Sequence, residues 1–518
     1  MPTTQAVDLG SAVIIAVVIA GICRNRGWSS AIPLLIAGIA IGVAPFGPQG
    51  VSDPEAFLVL ILAPLVFGEA LTSSIVDLRR VKRPVMALAV GLVIVGAIAV
   101  GVVAQWVIPG IWTSMAFALG AILGPTDAVA VAATARKAAL PRRLVNILEG
   151  ESLVNDGTAL TLLRVFSLAA AAGSVTAGEG ALILTTSVLG GLFVGALGGL
   201  GLMLVVRGAR DTTVANGLIL VAPLPLYLAA ETIEGSGILA VVVAGLVVAH
   251  ASSNAVTYTG RLQATSLWLT ITFILQAAAF FIVGLEMPRV LRSLPDDQVG
   301  ILWVAIPMVF ATLAVVRVVF VYLMSWVAGR TGQDRGWIVA AWAGTRGPIS
   351  ALAAFTLPLT TSAGDRIPFR ELVISITFGV VFVSLLLAPT IGWLARLVGL
   401  PHDDDRATKR RVHVALARAA LSRLEEIEES ADRTGDAIPT EVLQRLRSAA
   451  EERLDRAAAT AERQGAPGRH EPGVRQIAVE MMRSEQEELL RLRDREGLPD
   501  EIVREMQQEI DVRIRAIG

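Results

Sequence analysis

Cysteine is nearly missing. Cys23 is the only one in 518 residues, which excludes an internal disulfide and gives no sign of a secreted, disulfide-framed domain. Histidine is scarce as well: His250, His402, His413 and His470 all fall at or beyond the edges of the apolar stretches. No H-E-x-x-H or G-x-S-x-G pattern occurs, so neither a zinc-dependent nor a serine-dependent membrane hydrolase is indicated, and no enzymatic activity is expected. Charge is sparse, at 17% of residues against 54% hydrophobic, and 44 basic and 45 acidic side chains nearly cancel. A nucleic-acid partner is therefore not expected. The start does not read as a removed signal either, since SAVIIAVVIAGI is followed by RNRG rather than by small residues; it reads as a first membrane helix.

What the chain has instead is apolar length. Its mean hydropathy of +0.65 places it among membrane proteins. The charge is unevenly spread: residues 401–518 hold 21 basic and 26 acidic side chains, leaving an apolar body at 1–400 and a charged tail. With about 20 apolar residues needed per crossing, the body divides into thirteen spans. These are 9–23, 30–46, 55–75, 84–107, 112–134, 144–172, 179–206, 213–232, 236–252, 263–287, 300–327, 336–358 and 371–397.

The connecting loops test this count. With the N-terminus outside, the inward loops carry fifteen basic residues: Arg24, Arg26, Arg79, Arg80, Lys82, Arg83, Arg136, Lys137, Arg142, Arg143, Arg207, Arg210, Arg261, Arg330 and Arg335. The outward loops carry four, namely Arg289, Arg292, Arg366 and Arg370. Such a bias is what the positive-inside rule requires, and it puts the tail in the cytoplasm. The tail itself shows helical spacing in ALARAALSRLEEIEESADR, EVLQRLRSAAEERLDRAAATAERQ and a final pair broken at Gly497–Leu498–Pro499, with GDAIPT and GAPGRHEPG as linkers. It carries no nucleotide or metal motif and reads as a helical module for oligomerisation or regulation.

Polar residues at membrane depth carry the functional signal, because each costs roughly 2.5–3.5 kcal/mol to insert even on the lenient scale. The fifth span, ALGAILGPTDAVAVAA, is broken by Gly124 and Pro125 just before Thr126 and Asp127. The twelfth, VAAWAGTRGPISALAA, is broken by Gly344, Gly347 and Pro348 around Arg346. Interrupted backbone at that depth belongs where it lines a cavity or is buried in protein. The two spans are seven apart, an odd number, so they run in opposite directions, as inverted repeats of spans 1–6 and 8–13 would place them. Crossed half-helices would bring their positive ends near Asp127 and their negative ends near Arg346. In the sixth span, EGESLVNDGTAL, Ser152 and Asp156 share a helical face with Asn155 adjacent. A carboxylate there accepts either a proton or a cation, and its oxygen-rich surroundings suit a small hard cation such as Na⁺. Glu151 and Arg317 each need a partner and are expected to form a structural ion pair. Glu69 is a second candidate acid, while Arg164 has no assignable partner.

Together GPTDAVAV, EGESLVNDGTAL, FFIVGLEM and WAGTRGPISALA resemble the sodium–hydrogen exchanger branch of the cation–proton antiporters in its bacterial form. The resemblance spans the membrane body, and REGLPDEIVREMQQEIDV resembles the end of the same subfamily. It implies thirteen helices with crossed discontinuous helices at spans 5 and 12, a dimerisation domain and hence a homodimer, in the bacterial inner membrane. It further implies that Asp156 binds both ion and proton, with Thr126, Asp127 and Ser152 completing a Na⁺ shell. Asn155 before the essential Asp goes with electroneutral exchange; Glu69 matches a third-helix acid of some members, Glu151 with Arg317 the structural pair, and Arg346 the basic residue of the second broken helix. Two departures stand out. Pro125 precedes Thr126–Asp127 where relatives commonly read Thr-Asp-Pro, and SLLLAPTIGW replaces a frequent Gln-Gly pair. The expectation is Na⁺/H⁺ exchange by alternating access without a cofactor. K⁺/H⁺ exchange is the alternative, and a passive channel or a sensor working through its tail the reading from other classes.

Overall fold

The computed structural model describes residues 3–44, 54–73, 75–127, 140–173, 176–209, 211–255, 258–327, 335–400, 405–434, 440–458, 472–496 and 498–517. Among these the secondary structure is helical, apart from one isolated antiparallel bridge between Thr360 and Arg366. The chain divides into two units, residues 1–256 with 264–402, and 257–263 with 403–518.

The first unit is built from α1 (Thr3–Asn25), α2 (Ala31–Val43), α3 (Pro54–Thr72), α4 (Ile75–Arg80), α5 (Lys82–Val107), α6 (Thr113–Ile122), α7 (Arg142–Ala172), α8 (Ala177–Gly208), α9 (Thr212–Thr232), α10 (Gly237–Ala255), the 264–293 part of α11 (Tyr258–Ser293), α12 (Asp296–Val327), α13 (Gly336–Trp342), α14 (Pro348–Ala354), α15 (Arg370–Leu387) and α16 (Thr390–Val398). Helix occurs within each of the thirteen expected intervals. Among the described residues, six helices are long and apolar enough to cross a bilayer: α5, α8, α9, the Ser266–Ser293 part of α11, α12 and α15. The others are shorter, interrupted or carry polar groups. Residues 371–397, expected as one span, form α15 and α16 instead, because Pro389 interrupts the backbone hydrogen bonds between them. Residues 128–134 of the fifth expected span, the basic residues Arg136, Lys137, Arg210 and Arg330, and most of the two tail linkers lie outside the described residues.

Local chemistry sets several helix ends. Thr176 and Glu179 form a reciprocal capping box at the start of α8, which the T-x-x-E spacing encodes. Asp211 caps α9 by accepting from Thr213 N–H at 2.7 Å. Pro348 occupies the first turn of α14, where its missing N–H costs nothing.

Small residues let the helices approach closely, the usual device where lipid removes the hydrophobic drive. A Cβ on Gly191 or Gly195 of α8 would lie 2.7 Å from Ser236 O and 2.5 Å from Ala240 O, so α8 and α10 pack backbone to backbone. The same holds for α2 on α11, where Gly38 and Gly42 face the Phe281 and Leu285 carbonyls and Gly284 faces Leu35. The largest core draws on helices from α1 to α15 and centres on α6, α11 and α15.

The second unit is helical throughout its described part: α17 (Asp405–Thr434), α18 (Thr440–Ala458), α19 (Pro472–Glu496) and α20 (Asp500–Ile517). Val412, Leu416, Met482, Leu489, Ile502, Met506 and Ile510 form its core. Buried Glu485 receives hydrogen bonds from Arg453 at 2.8 Å and Arg513 at 2.7 Å, tying α18, α19 and α20 together.

Candidate functional site

Two interrupted segments meet inside the first unit. Helix α6 ends at Ile122 and leaves Gly124–Pro125–Thr126–Asp127 without helical pairing. Helix α13 ends at Trp342, residues 343–347 run non-helically, and α14 restarts at Pro348. Asp127 donates its backbone N–H to Thr345 O at 2.8 Å, so each break satisfies a backbone group of the other. Glycine is required at this junction for closeness. A Cβ on Gly347 would come 2.9 Å from Asp127 Cβ, and one on Gly344 would come 2.7 Å from Arg317 Cδ.

Helix α7 holds the first segment in place. Asn155 Nδ2 donates to Thr126 Oγ1 at 2.8 Å, and Ser152 Oγ donates to the Thr126 carbonyl. Ser152, Asn155 and Asp156 are spaced i, i+3, i+4 and therefore share one face. All three are buried, with Asp156 at 1% exposure, and neither Asp156 carboxylate oxygen has a hydrogen-bond partner among the described residues. A narrow cleft is lined by Glu69, Thr126, Asp127, Ser152, Gln276 and Gly347, among others. Asn155 and Asp156 are not among its lining residues. Burial without a partner makes a bare Asp156 charge costly. Among the described residues, no three His, Cys, Asp or Glu side chains converge as a resident metal site would need.

The basic residues form a second layer. Arg317, 2% exposed, donates to both oxygens of Glu151, also 2% exposed, with the Nη2–Oε2 contact at 2.9 Å, and its Nε donates to Ala340 O at 3.1 Å. The pair thereby links α7, α12 and α13. Arg346 donates from Nη1 to Pro125 O at 3.4 Å, which places its charge against a carbonyl of the other interrupted segment. Its backbone N–H donates to Ser384 Oγ at 3.0 Å. Arg164, without a partner from sequence spacing, donates to Glu231 at 3.0 Å and to Gly235 O at 3.1 Å, while Glu231 also accepts from Gly237 N–H.

Thr126, Asp127, Ser152 and Glu69 thus line the cleft, Asn155 bonds to Thr126, Asp156 is the next residue on α7, and Arg346 and the Glu151–Arg317 pair tie the neighbouring segments together. Three residues escaped the sequence reading. Gln276 is the only polar side chain between Thr272 and Glu286 of α11, a signal that was visible. Ser384 stands in SLLLAPTIGW, where the sequence departs from the commoner Gln-Gly pattern, and it serves the Arg346 backbone. Glu231 lies 67 residues from Arg164, beyond any local rule.

Residues 12–396 match the family described as sodium/hydrogen exchanger, transmembrane. An uncharacterized Na⁺/H⁺ exchanger of Mycobacterium tuberculosis is 30% identical over 96% of this chain and 94% of its own. A sodium, potassium, lithium and rubidium/H⁺ antiporter of Bacillus pumilus is 32% identical over 70% of this chain and 57% of its own. The structure of the sodium proton antiporter MjNhaP1 from Methanocaldococcus jannaschii superposes with a TM-score of 0.63 at 20% identity, covering 76% of this chain and 99% of that one, which shows a shared fold. With interrupted segments meeting beside a buried carboxylate, and with the match running through nearly the whole membrane body, the chain belongs to the sodium/hydrogen exchanger family.

Proposed function

We propose that this protein exchanges Na⁺ for H⁺ across the bacterial plasma membrane by alternating access, with Asp156 serving both ions in turn. The observation that carries the reading is Asp156 itself: a carboxylate 1% exposed, with both oxygens free of hydrogen bonds from described residues, set among apolar helices. Carrying it empty and ionised through apolar surroundings is costly, whereas a bound proton or cation neutralises it, and that difference couples the two fluxes. Thr126, Asp127 and Ser152 supply the further oxygens for a hard cation, and Glu69 stands at the cleft as an additional acid. A single essential carboxylate preceded by Asn155 fits one-for-one, electroneutral exchange. The Glu151–Arg317 pair acts structurally, and Arg346 offsets the exposed carbonyl ends of the interrupted segments.

Thirteen crossings in two inverted repeats, a crossed pair of discontinuous helices, an outward N-terminus and a homodimer complete the proposal. The hydrogen bond from Asp127 N–H to Thr345 O supports the crossing, and the bias of basic loops supports the orientation. K⁺/H⁺ exchange is a second reading, favoured by the ion range in the Bacillus pumilus relative's name.

The test is dye-reported proton movement in sealed proteoliposomes at clamped membrane potential, with NaCl or KCl added in turn. Wild type should respond to Na⁺, and Asp156→Asn should be silent while melting like wild type. A response to K⁺ alone would replace the substrate; undiminished transport by Asp156→Asn would remove this carboxylate from the mechanism.

A further inference from the structure

The two walls of the cleft are held by different contacts. One wall consists of the interrupted segments and α7, locked to each other by Asp127 N–H to Thr345 O, Asn155 to Thr126 and Arg346 to Pro125. The rest of the lining comes from α3 and α11. Helix α11 is fixed to α2 by the glycine contacts at Gly38 and Gly284, and to α3 where Gly68 meets the Trp268 ring. Among the described residues, α3 and α11 bring two polar side chains to the cleft, Glu69 and Gln276.

Gln276 is unusual for its place. It lies in FILQAAAFFIVGL, the one polar position in a run whose next residues, from Ala277 to Leu285, are all buried. No hydrogen bond to a described residue satisfies its carboxamide, and Gln276 shares the cleft lining with Glu69, Thr126, Asp127 and Ser152. An unpaired amide at membrane depth costs free energy unless it serves a ligand or water. Its oxygen is a hard, neutral donor, so it can add to a cation's coordination without adding charge, and ligand number and cavity size are what separate Na⁺ from larger cations.

We propose that the Gln276 carboxamide is a selectivity ligand, coordinating the transported cation while the site opens to this cleft. This rests on the exchange reading above. Because Gln276 lines the cleft from α11, a helix that none of those contacts ties to α7, it is lost from the shell when α11 and α7 part, so its influence acts from one face of the membrane.

The experiment uses the full-length protein in sealed proteoliposomes, comparing wild type, Gln276→Ala and Gln276→Asn under graded NaCl, KCl and LiCl from either face. Gln276→Ala should raise the half-saturating Na⁺ concentration about three- to tenfold, the strength of one oxygen contact, and more than it lowers the maximal rate. The change should differ between Na⁺ and K⁺, be larger from one face, and be partly recovered in Gln276→Asn. Equal half-saturating concentrations for all cations in Gln276→Ala and wild type would overturn the proposal, as would a uniform loss of rate with unchanged ion ratios. A parallel measurement separates this from failure of the exchange reading: Na⁺-dependent stabilisation of the melting temperature in detergent reports binding alone. Were wild type silent in flux, exchange would fall, and a Na⁺ stabilisation undiminished by Gln276→Ala would still remove Gln276 from the site.

Discussion

Glu151 shows how strongly one residue can depend on another at membrane depth. Its carboxylate and the Arg317 guanidinium are both 2% exposed, so neither has water to fall back on. Glu151→Gln leaves a buried cation unpaired and should cost about 3–5 kcal/mol, read as a lower melting temperature in detergent; adding Arg317→Met should recover much of that loss. Ser384→Ala removes the acceptor for the buried Arg346 N–H and should cost about 1–3 kcal/mol by the same measurement. The need for a partner at Glu151 and Arg317 was legible, because two opposite charges in apolar spans leave few alternatives. Ser384 was not, since a serine in a membrane helix is ordinarily satisfied by its own backbone.

At the scale of elements, the α8–α10 contact rests on missing side chains. Gly195→Leu must push Ala240 and Val243 away and should destabilise by about 1–3 kcal/mol or more. Gly201, in the same helix but with nothing within 4 Å of an added Cβ, makes the control: Gly201→Ala should be neutral or stabilising. Helix existence in the body followed from apolar length, and the interrupted segments followed from Gly and Pro at mid-span. The split of the last expected span at Pro389 was a matter of local geometry that hydropathy averages away. The partner of Arg164 depended on how the α9–α10 turn approaches α7, which no helical spacing encodes.

For the whole molecule, the two units invite separate tests. Removing residues 405–518 should leave cation-evoked proton movement measurable, since every site residue lies in the body; its complete loss with intact folding would give the tail an obligatory role. Within the tail, the hydrogen bond from His413 holds the Glu509 carboxyl below the ordinary glutamate value of 4.5. A depressed carboxyl contributes stability above that value and loses it as pH falls through the folded one. Protection of residues 500–517 from hydrogen exchange in the full-length protein should therefore decline on acidification, and less so in Glu509→Gln. A decline of equal size in both proteins would assign it to other groups.

The sequence by itself determined the membrane class, the helical body with its charged helical tail, and which residues were too costly to be incidental, because hydrophobic transfer and charge burial act on every residue wherever it packs. Only the tertiary structure decided that Thr126 answers to Ser152 and Asn155, that Asp127 meets Thr345, and that Gln276 lines one cleft with Glu69 and Asp127 from another helix. Those pairings depend on how helices distant in sequence cross, and crossing is set by backbone approach at glycines and by the mutual satisfaction of broken hydrogen-bond ladders, neither of which a single segment contains.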